Sequence, residues 1–292
     1  MEGILIRGIG SFYTAVDADG GAFTLRCPKK FRYKGMTPMV GDRVRFTPGQ
    51  GEEEGWVDEI FPRRSVFVRP PVANTEALLI TLCPEPAPDL LLADRLLVEC
   101  RRQGIRAILV ASKEDLDGGA LAETLRRDYA KANAEVISVS ARTGAGLDGL
   151  RAAMGSEICC LAGQSGVGKS TLLAALTGLD LEVGEISRKI AGGKNTTRRA
   201  ELLMADGLRV FDTAGFSLLA LSGLEEPERL PEYYPEFWPL AEGCRFQPCL
   251  HATEPGCMVR QAVAAGDISR DRHSRSLALL GEMREAWDNR YH

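Results

Sequence analysis

Gly163-Gln164-Ser165-Gly166-Val167-Gly168-Lys169-Ser170 carries the spacing G-x-x-x-x-G-K-S of a phosphate-cradling loop, and its neighbours supply the context that such a loop needs. An apolar run from Glu157 to Ala162 precedes it as an expected strand, and Lys169 to Thr177, with Leu172, Leu173 and Leu176, follows as an expected helix. The glycines let successive backbone N–H groups converge on phosphate oxygens at a helix N-terminus, where the unpaired amides and the helix dipole both favour negative charge. Residues Gly163 to Gly168 with Thr171 form the expected cradle. Lys169 reaches the β and γ phosphates in this reading, and the Ser170 hydroxyl ligates Mg²⁺.

Working outward, the same strand-then-helix alternation continues on both sides. Upstream stand the apolar run Ala77 to Cys83, a helix pattern over Leu90 to Gln103, a strand over Arg106 to Ala111, a helix over Ala120 to Ala132, a strand over Glu135 to Val139 and a helix over Leu147 to Met154. Downstream are strands over Ala200 to Ala205 and Leu208 to Phe211. Continuous apolar strands separated by helices imply a largely parallel sheet covered on both faces, an α/β P-loop core.

A phosphate loop does not choose its base, so the base-reading residues decide between ATP and GTP. Nothing after Gly168 offers Asn/Thr-Lys-x-Asp, the usual downstream guanine motif. Upstream, Ser112-Lys113-Glu114-Asp115 directly follows the strand ending at Ala111, and Ser140-Ala141 ends the next strand. Asp115 can accept from guanine N1–H and the 2-amine, the Lys113 stem can cover the ring, and the Ala141 amide can donate to O6. Lys-x-Asp alone is weak; its place at a strand end, paired with Ser-Ala at the next, gives it weight.

Two segments read as γ-phosphate sensors. Thr196 or Thr197, in Gly192-Gly193-Lys194-Asn195-Thr196-Thr197-Arg198-Arg199, completes the Mg²⁺ shell, with an ordinary solvated loop as the alternative. Asp212-Thr213-Ala214-Gly215 closes the strand at Phe211; Asp212 holds the metal through water and the Gly215 amide faces the γ-phosphate.

Beyond about Leu224 the composition shifts to a proline- and aromatic-rich stretch, then to Cys244-x4-Cys249-x-His251-x5-Cys257 and a polar helix over Ser269 to Asp288. Three thiols and an imidazole within fourteen residues close a tetrahedral Zn²⁺ shell with no open position, which is a structural role. Cys159 and Cys160, in an apolar strand, read as small core hydrophobes.

The first sixty residues differ again: short strands at Ile4 to Ile6, Phe12 to Val16, Ala22 to Leu25, Arg43 to Phe46 and Trp56 to Phe61, separated by turn signals, suggest a small barrel. A proline-containing connection, from Phe61 through Pro71, separates it from the α/β region. The 292 residues, 45% hydrophobic and 26% charged, suit a globular chain of two or three domains. No apolar run approaches the ~20 residues of a membrane span and no leader is evident, so a cytoplasmic location is expected. The net charge of -4 gives no global attraction to nucleic acid. Locally, residues 26–45 carry seven basic side chains against one acid and 188–199 carry five against none, which as bare charge runs are solvated faces.

The order of these motifs, base reader, Ser-Ala, phosphate loop, threonines and Asp-x-x-Gly, is a circular permutation of the usual GTPase order. With a barrel ahead and a Cys-Cys-His-Cys module behind, the chain resembles the small-ribosomal-subunit-dependent GTPase A family, circularly permuted GTPases of bacterial ribosome assembly. Gly41-Asp42-Arg43-Val44, Arg69-Pro70-Pro71-Val72-Ala73-Asn74, Asp94-Arg95-Leu96-Leu97 and Pro255-Gly256-Cys257 belong to the resemblance. It implies an oligonucleotide-binding (OB) barrel over 1–64 that contacts rRNA, a permuted GTPase domain over 65–223, and a zinc module over 224–292. It further implies GTP and GDP with Mg²⁺ as ligands, one Zn²⁺, and hydrolysis stimulated by the 30S subunit in its late maturation; a monomer is expected. Three positions depart from the family: Ser112 for Asn or Thr, Ala214 for Pro, and Asn195 for a histidine that is a candidate for assisting hydrolysis. An amide orients water but is no general base. Phe216 also stands where many GTPases place a water-orienting Gln, so slow intrinsic turnover is expected. A scaffold that holds nucleotide with negligible hydrolysis, and an unrelated ATP-using enzyme, are the competing readings.

Overall fold

The computed structural model describes residues 1–28, 31, 36–50, 53–68, 71–179, 200–212 and 226–291. Thr196, Thr197 and Gly215, the departures at Asn195, Ala214 and Phe216, the basic run 188–199, and Lys29, Lys30, Arg32 and Lys34 lie outside the described residues. The chain divides into two units: Met1–Leu78, Leu147–Ala162 and Lys169–Leu218 form one, and Leu79–Gly146, Gly163–Gly168 and Leu219–His292 the other.

The first unit opens with the expected five-stranded barrel: β1 Glu2–Ile9, β2 Phe12–Asp17, β3 Ala22–Arg26, β4 Arg43–Thr47 and β5 Gly55–Ile60. Neighbours run β1-β2-β3-β5-β4, and β4 returns to pair with β1, so the sheet closes without a free edge. Alternation sends Tyr13, Ala15, Leu25, Val44, Phe46 and Val57 inward, where they bury with Leu5 and Ile60. β1 is longer than the three residues expected, with its register shift between Leu5 and Arg7, because it serves β2 and β4 and also meets Glu201 of a later strand.

Gly41-Asp42 and Asn74 now have physical reasons. Asp42 is fully buried, accepts the Met39 amide at 2.7 Å and takes a two-pronged bond from Arg63 at 2.7 and 2.8 Å. Asn74 donates to the Gly41 carbonyl and accepts the Arg64 amide, both at 2.9 Å. Gly41 sits at φ +93°, and a Cβ there would stand 2.0 Å from the Ala73 carbonyl oxygen. The proline-containing connection is more ordered than the sequence suggests: β6 Val66–Val68 and β7 Pro71–Ala73 pair as a hairpin that buries Phe67 and Val72.

The α/β part of the second unit carries β8 Ala77–Leu82, α1 Leu90–Gln103, β9 Arg106–Ala111, α2 Ala120–Asp128 and β10 Glu135–Ser138, in sheet order β10-β9-β8 with β9 and β10 parallel. The α2 helix stops four residues before the expected Ala132. Tyr129 buries its ring there, the Ala132 amide turns back to the Tyr129 carbonyl, and Asn133 takes φ 48°. Arg101 satisfies the Ala132 and Asn133 carbonyls at 3.0 and 2.8 Å, replacing the bonds a longer helix would make.

The chain then returns to the first unit with α3 Leu147–Met154, β11 Ile158–Ala162, α4 Lys169–Thr177, β12 Glu201–Ala205 and β13 Leu208–Asp212. β11 and β13 are parallel, β12 and β13 form a hairpin, and β11 is buried throughout, Cys159 and Cys160 included, as core cysteines should be. The C-terminal part of the second unit holds α5 Trp238–Ala241, α6 Met258–Ala265 and α7 Arg270–Asp288 around an apolar cluster of Leu230, Tyr234, Phe237, Val259, Leu279 and Met283. Ser269, expected inside the last helix, is its N-cap, accepting the Arg272 amide. Among the described residues no helix is long and apolar enough to cross a membrane.

Candidate nucleotide site and metal cluster

The chain leaves β11 at Ala162 and enters α4 at Lys169, so the strand–loop–helix sequence needed for phosphate binding is present. Gly163 has φ +140°, and a Cβ there would lie 2.2 Å from the Thr81 carbonyl oxygen: the loop starts where only glycine fits. Gln164 anchors the loop to the segment before α1, accepting the Asp89 amide at 2.7 Å and donating to the Ala87 carbonyl at 2.9 Å.

Ser112, Lys113 and Asp115 stand just beyond β9, and each contributes differently. The buried Ser112 hydroxyl lies 2.7 Å from the Val167 carbonyl and 3.0 Å from that of Leu82. One hydroxyl has one proton, so the shorter contact is the better donor bond, and it ties the phosphate loop to the end of β9. Lys113, at φ 57°, sends its ammonium to the Glu85 and Gly166 carbonyls, each at 2.7 Å, and its Cε lies 3.8 Å from where a Gly168 Cβ would be. The lysine stem therefore lies along the phosphate loop.

Asp115 is held from two sides. The Ser140 hydroxyl donates to Oδ1 at 2.5 Å and the Arg142 Nε to Oδ2 at 2.8 Å. The Ser140 bond, with help from Arg142, holds the carboxyl below its usual range. Ser140 is itself set by a closed turn, its amide bonding the Ala145 carbonyl and its carbonyl the Gly144 amide, both at 2.9 Å. Ala141 sits in that turn. The role of Arg142 had no signal in the sequence; it is an exposed arginine one residue beyond Ser-Ala.

In the first unit, Asp212 ends β13 at the same carboxyl end as Ala162 of the parallel strand β11, with Cys160 opposite Phe211. Burial pushes its carboxyl up, and Glu201, its cross-strand partner, adds to the shift. A cation near Asp212 would offset both effects. The Ser170 hydroxyl and the Asp212 carboxylate are hard oxygen donors of the kind Mg²⁺ takes.

The cysteine cluster assembles as the spacing predicts. The ligand atoms of Cys244, Cys249, His251 and Cys257 all lie within 4.8 Å of one another, and all four residues are buried. His251 Nδ1 is 3.3 Å from Cys257 Sγ and 3.8 Å from Cys244 Sγ. Ligands around a tetrahedral zinc at ~2.0 to 2.3 Å stand roughly 3.3 to 3.8 Å apart, so these separations suit one ion. The Met258 and Arg260 amides point at Cys244 Sγ and Cys257 Sγ, at 3.3 and 3.5 Å, as donors to thiolates do. Burial pushes the Cys249 thiol up to about 12 and raises that of Cys257, a cost to the charged forms that a bound cation would offset.

Two supports of the cluster were invisible in the sequence. His273, far from the ligands in the chain, places Nε2 2.9 Å from the His251 carbonyl. Glu254 caps the knuckle, accepting the amides of Leu250, Ala252 and Thr253 at 3.1, 2.8 and 3.0 Å.

Comparison with known proteins agrees with this geometry. A family model described as RsgA GTPase matches residues 60–222, and one described as RsgA N-terminal domain matches residues 2–57. The chain is 44% identical over 289 residues to the small ribosomal subunit biogenesis GTPase RsgA of Geobacillus thermodenitrificans, covering 97% of this chain and 98% of the relative. The protein of that name from Moorella thermoacetica is 41% identical over 286 residues, covering 97% of each. Among solved structures, YjeQ from Thermotoga maritima superposes with a TM-score of 0.83 at 30% identity, covering 97% of this chain and 98% of that one. YloQ, described as a circularly permuted GTPase, superposes with a TM-score of 0.79 at 28% identity, covering 98% and 95%.

Proposed function

The chain belongs to the RsgA GTPase family and is a circularly permuted GTPase, and from that premise we propose that it binds the 30S ribosomal subunit and acts as a checkpoint on its late maturation, hydrolysing GTP to GDP and phosphate when the subunit stimulates it. Its relatives are named for biogenesis of the small ribosomal subunit. The observation that carries the reading is the meeting of base reader and phosphate loop: Lys113 and Ser112 bond the carbonyls of Gly166 and Val167, while the next turn presents the Asp115 carboxylate.

In this reading Asp115 accepts guanine N1–H and the 2-amine, Lys113 covers the ring, Ser140 fixes the carboxylate and the Ala141 amide donates to O6. Gly163 to Gly168 with Thr171 cradle the phosphates, Lys169 neutralises the β and γ phosphates, and Ser170 with Asp212 holds Mg²⁺, which supplies the positive charge that the transferring phosphoryl group needs. Thr196 or Thr197 and Gly215 act as the γ-phosphate sensors. Residues 1–64 form the RNA-binding barrel, 65–223 the GTPase domain and 224–292 the zinc module, in a monomeric cytoplasmic protein. Asp212-x-x-Gly215 leads directly in the chain to the zinc module, so a γ-phosphate contact can pull on it.

Asp115→Asn should shift preference from GTP toward XTP, because the amide donates where the carboxylate accepted, toward a base with O2 in place of the 2-amine. Competition binding of GTP against XTP checks this, and an unchanged preference removes Asp115 from the base pocket.

Turnover tests the whole reading. Neither Asn195 nor Phe216 supplies a base for the attacking water, so GTP hydrolysis should be slow alone and rise strongly with 30S subunits. The rise should fall steeply with KCl, since basic side chains that meet rRNA phosphates release counterions. Removing the charge of Arg198 and Arg199 should lower stimulated turnover and leave GTP affinity in the free protein nearly intact. Fast turnover alone, or no response to 30S subunits at low salt, sinks the checkpoint; tight nucleotide binding without turnover in either condition favours a nucleotide-holding RNA scaffold.

A further inference from the structure

The barrel strands place Ile9, Phe12, Arg26 and Trp56 on one level. Ile9 pairs with Phe12 across β1 and β2, Phe12 with Arg26 across β2 and β3, and Arg26 with Trp56 across β3 and β5. Residues directly opposite one another in a sheet point to the same face. Here that face is the outside, because Tyr13, Leu25 and Val57, one residue along in each strand, are buried in the barrel. Ile9, Phe12 and Trp56 are 43%, 38% and 49% exposed. Isolated surface hydrophobes are ordinary, but these three share one row, with a guanidinium set between the two rings.

Arg26 lies 4.9 Å from the centroid of the Phe12 ring, and its Nε is 3.3 Å from a Glu54 carboxylate oxygen. The two aromatic side chains stand two strand spacings apart, about 10 Å. The row ends beside the β1–β2 turn at Gly10-Ser11, and Trp56 follows the β4–β5 connection. In closed five-stranded barrels of this strand order, the strand 2–3 face and those two loops are where oligonucleotides bind.

We propose that this row is a stacking platform for unpaired bases of single-stranded RNA, one base over Phe12 and one over Trp56, with Arg26 between them for a phosphate or a base face. The proposal rests on the reading of the barrel as an RNA contact and names what it takes. Charge favours RNA as the occupant: the sequence from 26 to 45 has seven basic residues and one acid in an otherwise acidic chain. Exposed rings favour a single strand, because an A-form duplex keeps the faces of its bases covered by their neighbours and offers only sugars, phosphates and shallow groove edges.

The test uses the full chain, a labelled short unstructured oligoribonucleotide and a duplex RNA of equal charge, with affinities read by anisotropy at fixed KCl. Phe12→Ala and Trp56→Ala should each weaken single-strand binding roughly 5- to 100-fold, as loss of one base–aromatic stack does. Trp56→Phe should keep most of the affinity. Neither alanine variant should change the salt slope, duplex affinity or GTP affinity, since both rings are uncharged and lie on the outer face of the barrel. Equal single-strand affinity in wild type and both alanine variants overturns the platform, as does a wild-type chain with no affinity for the single strand. Loss of 30S association with unchanged single-strand binding also overturns it, and assigns the row to a ribosomal protein. Ring-dependent binding of single strands without 30S-stimulated turnover would leave this inference standing and remove the checkpoint reading.

Discussion

Cys249→Ser should reduce the zinc content of the purified chain from about one equivalent to near zero and loosen the module around it before the rest of the protein melts. Binding of structural zinc contributes on the order of 10 kcal/mol or more to folding in small metal modules, because the site does not exist in the unfolded chain. Here the surrounding core of Leu230, Tyr234, Phe237, Val259, Leu279 and Met283 remains after the metal is lost, so the module should loosen in part and α7 should persist longest. His251, whose ring stands edge-on to Phe237 with centroids 5.2 Å apart, couples the metal site to that core. Metal analysis with hydrogen exchange over residues 226–291 measures both effects. Unaltered zinc content and unaltered protection in the variant would remove the metal assignment. A chelator should reproduce the variant's behaviour in the wild type while GTP still binds.

Legibility in the sequence followed the range of the interactions. The phosphate loop and the cysteine cluster could be read because their chemistry is local: eight consecutive residues in one case, fourteen in the other, with residue types that little else demands. Lys113 and Asp115 could be read only through their place at a strand end, which needed the α/β alternation first. The barrel was legible from turn signals, although the length of β1 was not, since its neighbours come from distant segments. Ser112 shows a contact that only the fold supplies: its sequence position points to the guanine pocket, and its hydroxyl also reaches the Val167 carbonyl of the phosphate loop at 2.7 Å. Arg142 and His273 had no pattern around them, since an exposed arginine or a helical histidine is ordinary until a partner arrives from elsewhere. The expected helix runs on to Ala132 because apolar and charged spacing continues past Asp128, whereas the helix ends where Tyr129 is buried and Arg101 takes the Ala132 and Asn133 carbonyls.

Asp94→Ala should destabilise the second unit by about 3 to 5 kcal/mol, the usual cost of stripping one partner from a buried charge cluster. Asp94 is fully buried in α1 and accepts Arg272 Nη1 and Arg275 Nε from α7, each at 2.5 Å. Arg272 is only 3% exposed, also bonds Glu236, and lies between two aromatic faces, 4.8 Å from the Tyr129 centroid and 4.9 Å from that of Tyr234. Neither guanidinium can shed its proton, so without Asp94 the buried Arg272 keeps only Glu236 as an anionic partner and the partly buried Arg275 loses its carboxylate. Desolvation makes that costly, and it lies at the junction of α1, α2 and the C-terminal helices, where Asp94, Tyr129, Tyr234, Glu236 and Arg272 converge. Tyr234→Phe at the same junction should do the opposite: its hydroxyl is buried with no hydrogen-bond partner among the described residues, so its removal should be neutral or stabilising by up to about 1 to 2 kcal/mol. Urea denaturation of both variants, followed by far-UV circular dichroism with hydrogen exchange over α7, measures the two effects. An Asp94→Ala cost below about 1 kcal/mol would mean that the arginines relax into solvent and the cluster does not hold α7. A large Tyr234→Phe loss would mean that the hydroxyl has a partner after all, such as an ordered water bridging it to the unpaired Oε2 of Glu236.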